Sequence, residues 1–269
     1  MKNIVTRSLS GVVYIALIVA SLWFGLRATA LLAALFGGLA VFELNRIMEG
    51  KSPWALRDIV LGLDILAVAT MVAASYSDWT LFFPVLLYPL VRFILALYDK
   101  RPCAFASAAS SMMSVAYIGL PMTALVLLYR LSPQPFFFVL AMFVLIWLND
   151  TGAYCVGSTM GRHRLFPRLS PKKSWEGFFG GLFFCIAASI GAYFINNCGM
   201  PLSAWIGFGV LVCVLSTLGD LFESLLKRNH GIKDSGNIIP GHGGILDRID
   251  SLLFVAVGTL GYMFFFKFI

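Results

Sequence analysis

The sequence predicts an all-α polytopic membrane protein of about nine transmembrane helices, with the N-terminus in the cytoplasm and the C-terminus outside. Three observations predict it. The 269 residues are 59% hydrophobic and only 12% charged, with a mean hydropathy of +0.88. One soluble core of this size cannot hide that much apolar surface. The apolar residues fall in runs near the ~20 residues a spanning helix needs, without the alternation of a barrel strand. The cations are also one-sided. With nine spans, Lys2, Arg7, Arg46, Lys51, Arg57, Lys100, Arg101, Arg162, Arg164, Arg168, Lys172, Lys173, Lys227, Arg228, Lys233 and Arg248 share the N-terminal side, and Arg27, Arg130 and Lys267 the other. Losing one span would mix the two sets, so charge supports both the count and the orientation.

The spans justify themselves in order. Leu9–Gly25 follows a basic start, but Trp23, Phe24 and Arg27 stand where a signal peptidase needs small residues, so it is read as retained. Thr29–Leu44 carries Gly37 and Gly38 for close helix approach and ends at Glu43 and Arg46, whose spacing predicts a local ion pair. Ile59–Ser75 holds Asp64, expected to hydrogen-bond between helices or to line a polar cavity. Arg92, in Leu81–Leu97, is its candidate partner. Ala109–Leu128 closes the N-terminal part. Phe136–Val156 carries Asn149 and Asp150 near its polar end. Phe178–Ile195 has Gly180 and Gly181, and Ala204–Leu226 has Gly207 and Gly209. Leu252–Phe268 is the ninth. Cys155, Cys185 and Cys213 fall within spans and read as small core residues, with no metal or disulfide spacing. The organisation is a single membrane-embedded domain, 1–269, with an N-terminal helical scaffold over 1–130 and catalytic helices and loops over 131–269.

The chemistry concentrates in one polar stretch, Ser224–Asp250, between the last two spans. Two spans need only a short turn between them, so a long loop with cations and carboxylates indicates a site for a polyanion and its metal. Lys227, Arg228 and Lys233 are candidates for neutralising phosphate oxygens. Gly241, Gly243 and Gly244 let the backbone fold tightly and present N–H groups. Ser216, Asp220, Ser224 and Lys227 recur at spacings of one helical face. Asp247 and Asp250 open the ninth helix, and Asp220 with Asp247 suits a magnesium ion shared with substrate phosphates. His242 is a candidate for phosphate binding or proton transfer. Upstream, Asn149–Asp150 is followed by SPKKSWEG, where Ser170–Pro171 predicts a helix start and Lys172 and Lys173 form a dibasic pair. The net charge of +7 sits at membrane edges and no groove-reading motif appears, so anionic lipid is the expected partner and nucleic acid is not.

These residues carry a resemblance. Ser224, Lys227, Arg228, Lys233, Asp234, Gly236, His242, Gly243, Gly244, Asp247, Arg248 and Asp250 match every fixed position of the signature of the phosphatidate cytidylyltransferases, or CDP-diacylglycerol synthases. Asn149–Asp150, Ala153–Tyr154 and SPKKSWEG also resemble that family's upstream blocks, with Ser174 where the family commonly has threonine. The specific resemblance covers about Asn149 to Asp250. It implies transfer of the cytidylyl group of CTP to phosphatidic acid, giving CDP-diacylglycerol and pyrophosphate for phospholipid biosynthesis. It implies magnesium at Asp220 and Asp247, with a second cation that Asp150 or Asp250 helps to bind. It gives Lys227, Arg228, Lys233 and Arg248 to the CTP phosphates and leaving pyrophosphate, and Lys172 and Lys173 to the lipid phosphate. Asn149, Asp150, Ser224, His242, Gly243 and Gly244 complete the expected substrate-binding set. A homodimer is compatible with the family and with the glycine-rich spans. Compact length without an organelle leader points to a bacterial plasma (inner) membrane, with the active site on the cytoplasmic side. The alternatives are a CTP-dependent polyprenol or phytol kinase, an archaeal ether-lipid cytidylyltransferase, and a transporter lined by Asp64, Arg92, Asp150 and Asp220.

Overall fold

Each of the nine predicted apolar stretches falls on a helix in the computed structural model, which describes residues 2–49, 57–77, 79–100, 103–239 and 243–269. The helices are α1 (Lys2–Trp23), α2 (Leu26–Glu49), α3 (Arg57–Tyr76), α4 (Phe82–Tyr98), α5 (Ala104–Leu131), α6 (Pro135–Met160), α7 (Trp175–Ile195), α8 (Leu202–Asn229) and α9 (Leu246–Phe265). Among the described residues, seven are long and apolar enough to cross a membrane, and the protein is a multi-pass membrane protein. The expected count of nine is therefore met only in part. Leu9–Trp23 and Phe82–Tyr98 are apolar but shorter than the other seven.

Two local departures have sequence causes. Midway along α5, Ser114–Gly119 winds as a π-helix just before Pro121. A proline has no N–H to give and its ring crowds the carbonyl four residues back, so the wider turn relieves the helix. The helix expected to start at Ser170–Pro171 starts later. Ser170–Ser174 is instead strand β2, paired antiparallel with β1 (Arg164–Phe166) in a two-stranded ribbon, the one sheet among the described residues. Proline is tolerated at the edge of so short a ribbon. The helical start belongs to Ser174, whose hydroxyl accepts the Gly177 N–H at 3.1 Å and caps α7.

The chain divides into two compact units. The first comprises Met1–Leu127 and Asp234–Arg248, the second Leu128–Lys233 and Ile249–Ile269. The first unit encloses an intramembrane polar network. Asp64 is 0% and Arg92 2% exposed. Asn45 donates to Asp64 Oδ2 at 2.7 Å, Ser111 donates to the same oxygen at 3.1 Å, and Tyr88 donates to Oδ1. Arg92 Nε lies 3.9 Å from Asp64 Oδ1 and donates to Ser111 Oγ at 2.7 Å. The network ties α2, α3, α4 and α5 together, which is the interhelical role expected of Asp64, with Arg92 as its ionic partner.

In the second unit, Phe138, Trp205 and Phe208 form a fully buried aromatic core, with Phe138 stacked on Phe208 at 5.1 Å between ring centroids. Helices α6 and α7 approach backbone to backbone. A Cβ at Gly177 would lie 2.8 Å from the Ala153 carbonyl oxygen and 3.2 Å from Gly157 Cα, so glycine is required for that contact. Cys185 and Cys213 are buried as expected, but Cys155 is exposed and is not a core residue.

Candidate active site

The second unit gathers one cluster. Helix α6 contributes Asn149 and Asp150, β2 contributes Lys173, α8 contributes Ser216, Asp220, Glu223, Ser224 and Lys227, and α9 contributes Asp250. Lys173 Nζ lies 2.6 Å from Asp220 Oδ2, and Ser224 Oγ donates to Asp220 Oδ1 at 3.3 Å. Ser224 reaches Asp220 because it stands one helical turn further along α8. Asn149 is buried, and its amide donates to Ser216 Oγ at 3.2 Å and to Asp150 Oδ1 at 3.4 Å. Asp250, half-buried, feels the charges of Asp220, Asp150 and Lys227. Lys227 Nζ is 2.5 Å from Glu223 Oε2. Glu223 is itself buried, so it fixes the lysine head at the helix face.

Close packing holds this group in place. A Cβ on Gly219 would lie 2.6 Å from the Asp250 carbonyl oxygen and 3.1 Å from Ser251 Cα. Ser251 Oγ donates to the Ser216 carbonyl at 3.2 Å, which locks α9 against α8 next to Asp220. Arg228 Nη1 donates to Ile232 O at 3.2 Å, and its Nε points to the Leu169 carbonyl at 3.5 Å, so it bonds both to its own loop and to the ribbon turn. Glu176 accepts the backbone N–H of Arg162 at 3.1 Å and meets His163 Nδ1 at 2.6 Å, which closes the base of the ribbon. Lys172 and Lys233 are exposed, on β2 and beyond α8.

The first unit holds the second half of the predicted motif. Asp247 Oδ2 accepts the Ser235 N–H at 3.0 Å, the Ser235 hydroxyl at 3.0 Å and the Gly244 N–H at 2.9 Å. Gly243 has φ +85, a backbone conformation that glycine adopts freely, and a Cβ there would lie 2.7 Å from Asp247 Oδ2. Arg248 is exposed, and its carbonyl accepts the Tyr14 hydroxyl at 3.0 Å. His242, a predicted substrate-binding residue, lies outside the described residues, as does Gly241.

Glu43 is the residue that sequence reasoning misread. It does not form the expected local pair with Arg46. Its carboxylate takes the N–H groups of Ile245 and Leu246 and the Ser235 hydroxyl, at 3.0, 2.9 and 3.0 Å. The available signal was a carboxylate on an apolar helix, which must find donors once buried.

The donor set bears on a metal. Among the described residues, no three His, Cys, Asp or Glu side chains converge tightly enough to hold an ion alone. Asp150, Asp220 and Asp250 offer only oxygen, and Asp220 and Asp150 both act electrostatically on Asp250. That suits a hard divalent cation completed by substrate oxygens rather than a closed protein cage.

Comparison with known proteins places the chain as a whole. The model of the Cytidylyltransferase family matches residues 5–266. A phosphatidate cytidylyltransferase of Staphylococcus haemolyticus (strain JCSC1435) is 34% identical over 255 residues, covering 93% of this chain and 95% of its own. The phosphatidate cytidylyltransferase of Staphylococcus aureus (strain COL) is 41% identical over 157 residues, covering 58% of this chain. In that comparison the chain spans 59% of the relative's length. With the family model matched over nearly its whole length, and with the motif residues clustered on α6, α8, α9 and the ribbon, the chain belongs to the cytidylyltransferase family.

Proposed function

We propose that the protein transfers the cytidylyl group of CTP to phosphatidic acid, giving CDP-diacylglycerol and pyrophosphate. The observation that carries this reading is the Lys173–Asp220 contact at 2.6 Å, with Asp150, Asp250 and Lys227 acting electrostatically nearby, a grouping of cations and carboxylates on otherwise apolar helices. The relatives' shared name supports it. A phosphate oxygen of the lipid attacks the α-phosphorus of CTP. The bond from that phosphorus to the oxygen bridging the β-phosphorus breaks, and its electron pair leaves with pyrophosphate. Two polyanions meet, so catalysis rests on positioning and charge stabilisation. The attacking oxygen is already ionised near neutral pH, so no strong base is needed.

In this reading Lys172 and Lys173 receive the lipid phosphate, and Lys227, Arg228, Lys233 and Arg248 the CTP phosphates and leaving pyrophosphate. Asn149, Ser224, His242, Gly243 and Gly244 complete the binding set. The carboxylates of Asp150, Asp220, Asp247 and Asp250 are the proposed oxygen donors to magnesium, with a second cation among them. Bound there, magnesium supplies neutralisation of the phosphate charge. The proposal includes nine crossings, counting the two shorter helices, with the N-terminus and site cytoplasmic and the C-terminus outside, in a bacterial plasma membrane. One-sided cations support that orientation, as does the solubility of CTP. The resemblance adds a homodimer.

The test uses detergent-purified protein, phosphatidic acid, magnesium and CTP labelled at the α-phosphate. The expected result is label in lipid with equimolar pyrophosphate, stopped by EDTA. Label entering lipid from the γ-phosphate, with CDP released, would replace this reading with a lipid kinase.

A further inference from the structure

The N-terminal helices were expected to be scaffold, yet one of their carboxylates organises the signature loop. Glu43, on α2, is 1% exposed. Burying a carboxylate is costly unless donors surround it, and the three donors it takes all come from the loop and the start of α9. Ile245 and Leu246 lead into α9, where the first N–H groups have no partner within the helix. A carboxylate there meets the positive end of the helix dipole. Glu43 is thus an N-terminal cap delivered from 203 residues away in sequence.

The same loop positions Asp247. Ser235 Oγ lies 3.0 Å from both Glu43 Oε2 and Asp247 Oδ2. A hydroxyl has one proton, so it donates to one carboxylate at a time and links them as a shared donor. Gly236 and Gly244 line the inside of the turn, where any Cβ would collide with the Glu43 carboxylate. The loop is therefore shaped around Glu43, and Asp247 is held by the backbone that Glu43 fixes.

We infer that Glu43 is a positioning residue for cytidylyl transfer, holding Ser235 and the Gly244–Leu246 backbone and, through Ser235 and Gly244, the orientation of Asp247. This rests on the function proposed above. The competing role is fold stability alone, which would act on the whole molecule and not on this loop.

The test compares full-length wild type, Glu43→Gln and Glu43→Asp in detergent by hydrogen–deuterium exchange and steady-state kinetics. Gln replaces one acceptor with an NH2 facing the loop's donors, and Asp keeps the charge but is one methylene short. In Glu43→Gln the amides of Ile245 and Leu246 should exchange about tenfold faster or more, because charge-assisted bonds are lost. The kcat/KM for CTP should fall about tenfold while the KM for phosphatidic acid and the exchange of α6–α8 stay unchanged. Glu43→Asp should be intermediate in both, and Ser235→Ala should move the same readouts less. Unchanged exchange at Ile245 and Leu246 would overturn the inference. So would faster exchange spread equally over all helices with a lowered melting temperature. If wild type makes no CDP-diacylglycerol, the cytidylyltransferase reading fails, and the exchange data still decide whether Glu43 holds the loop.

Discussion

Lys173 Nζ and Asp220 Oδ2 stand 2.6 Å apart, joining the ribbon to α8. The lysine side chain is 26% and the aspartate 37% exposed, so the pair is open enough for a ligand to compete for either partner. Exposed pairs contribute little to stability, about 0–1 kcal/mol. In the proposed function the contact is a charge arrangement for substrate and contributes little to the fold. Lys173→Met and Asp220→Asn are expected to leave the melting temperature within about 3 °C of wild type. Turnover should fall at least about a hundredfold, as when electrostatic stabilisation is removed from a transition state. The label-transfer assay in detergent measures the second, and light scattering on heating the first. Near wild-type turnover in either variant would remove that residue from the site.

Ser174 caps α7 directly after Lys173, so the cap also fixes where that lysine leaves the ribbon. Ser174→Ala should cost about 1 kcal/mol of stability through the lost cap and should lower turnover by displacing Lys173. Ser174→Thr keeps the hydroxyl and should retain both. Thermal unfolding and turnover, measured together, check the pair. If the alanine and threonine variants behave alike, the cap does not position Lys173.

The legibility of this chain follows from the range of its interactions. Hydropathy runs are local, and each of the nine that the sequence shows falls on a helix. The motif residues within one helix, such as Asp220 and Ser224 in α8, were legible because a turn of helix fixes their relation. Glu43 was misread for the converse reason. A local rule paired it with Arg46, three residues on, whereas its actual donors lie 192 to 203 residues away. The helix start at Ser170–Pro171 was placed too early because a serine–proline signal is shared by helix caps and turns. What decides there is pairing with Arg164–Phe166, a tertiary fact. Asp64 and Arg92 stood out because charge inside an apolar run is costly and needs a partner. Asn45, Tyr88 and Ser111 gave no such warning.

That intramembrane network makes its own prediction. Asp64 is fully buried and satisfied by Asn45, Tyr88 and Ser111, with Arg92 at 3.9 Å. Removing one charge strands the other in a low-dielectric interior, at a cost of about 3–5 kcal/mol. Asp64→Leu and Arg92→Leu should each lower the melting temperature markedly, whereas the double variant should recover a large part of the loss. A double variant as unstable as the sum of the singles would show that the charges are not coupled. The network's helices lie in the first unit, so the exchange rates of α7 and α8 in the second should change little in any of the three.

Gly219 sits one residue before Asp220, where α8 packs against the backbone of α9. A Cβ placed there would lie 2.6 Å from the Asp250 carbonyl oxygen, 3.1 Å from Ser251 Cα and 3.2 Å from the Asp250 carbonyl carbon. These are backbone atoms, which cannot rotate away as a side chain does, so the helices themselves must part. Overpacking of this kind costs about 1–3 kcal/mol. An alanine would also raise intrinsic helix propensity by roughly 1 kcal/mol, which offsets part of the loss. The net effect of Gly219→Ala on the melting temperature should therefore be modest. Its effect on chemistry should not be, because the separation falls between Asp220 and Asp250, two of the four carboxylates proposed to hold the cations. The expected result is a raised magnesium requirement and a turnover reduced by about tenfold or more, since small misplacement of reacting groups is costly. Titrating magnesium against turnover in wild type and variant checks it. A variant with an unchanged magnesium requirement would mean that the spacing of α8 and α9 does not set the geometry of those two carboxylates.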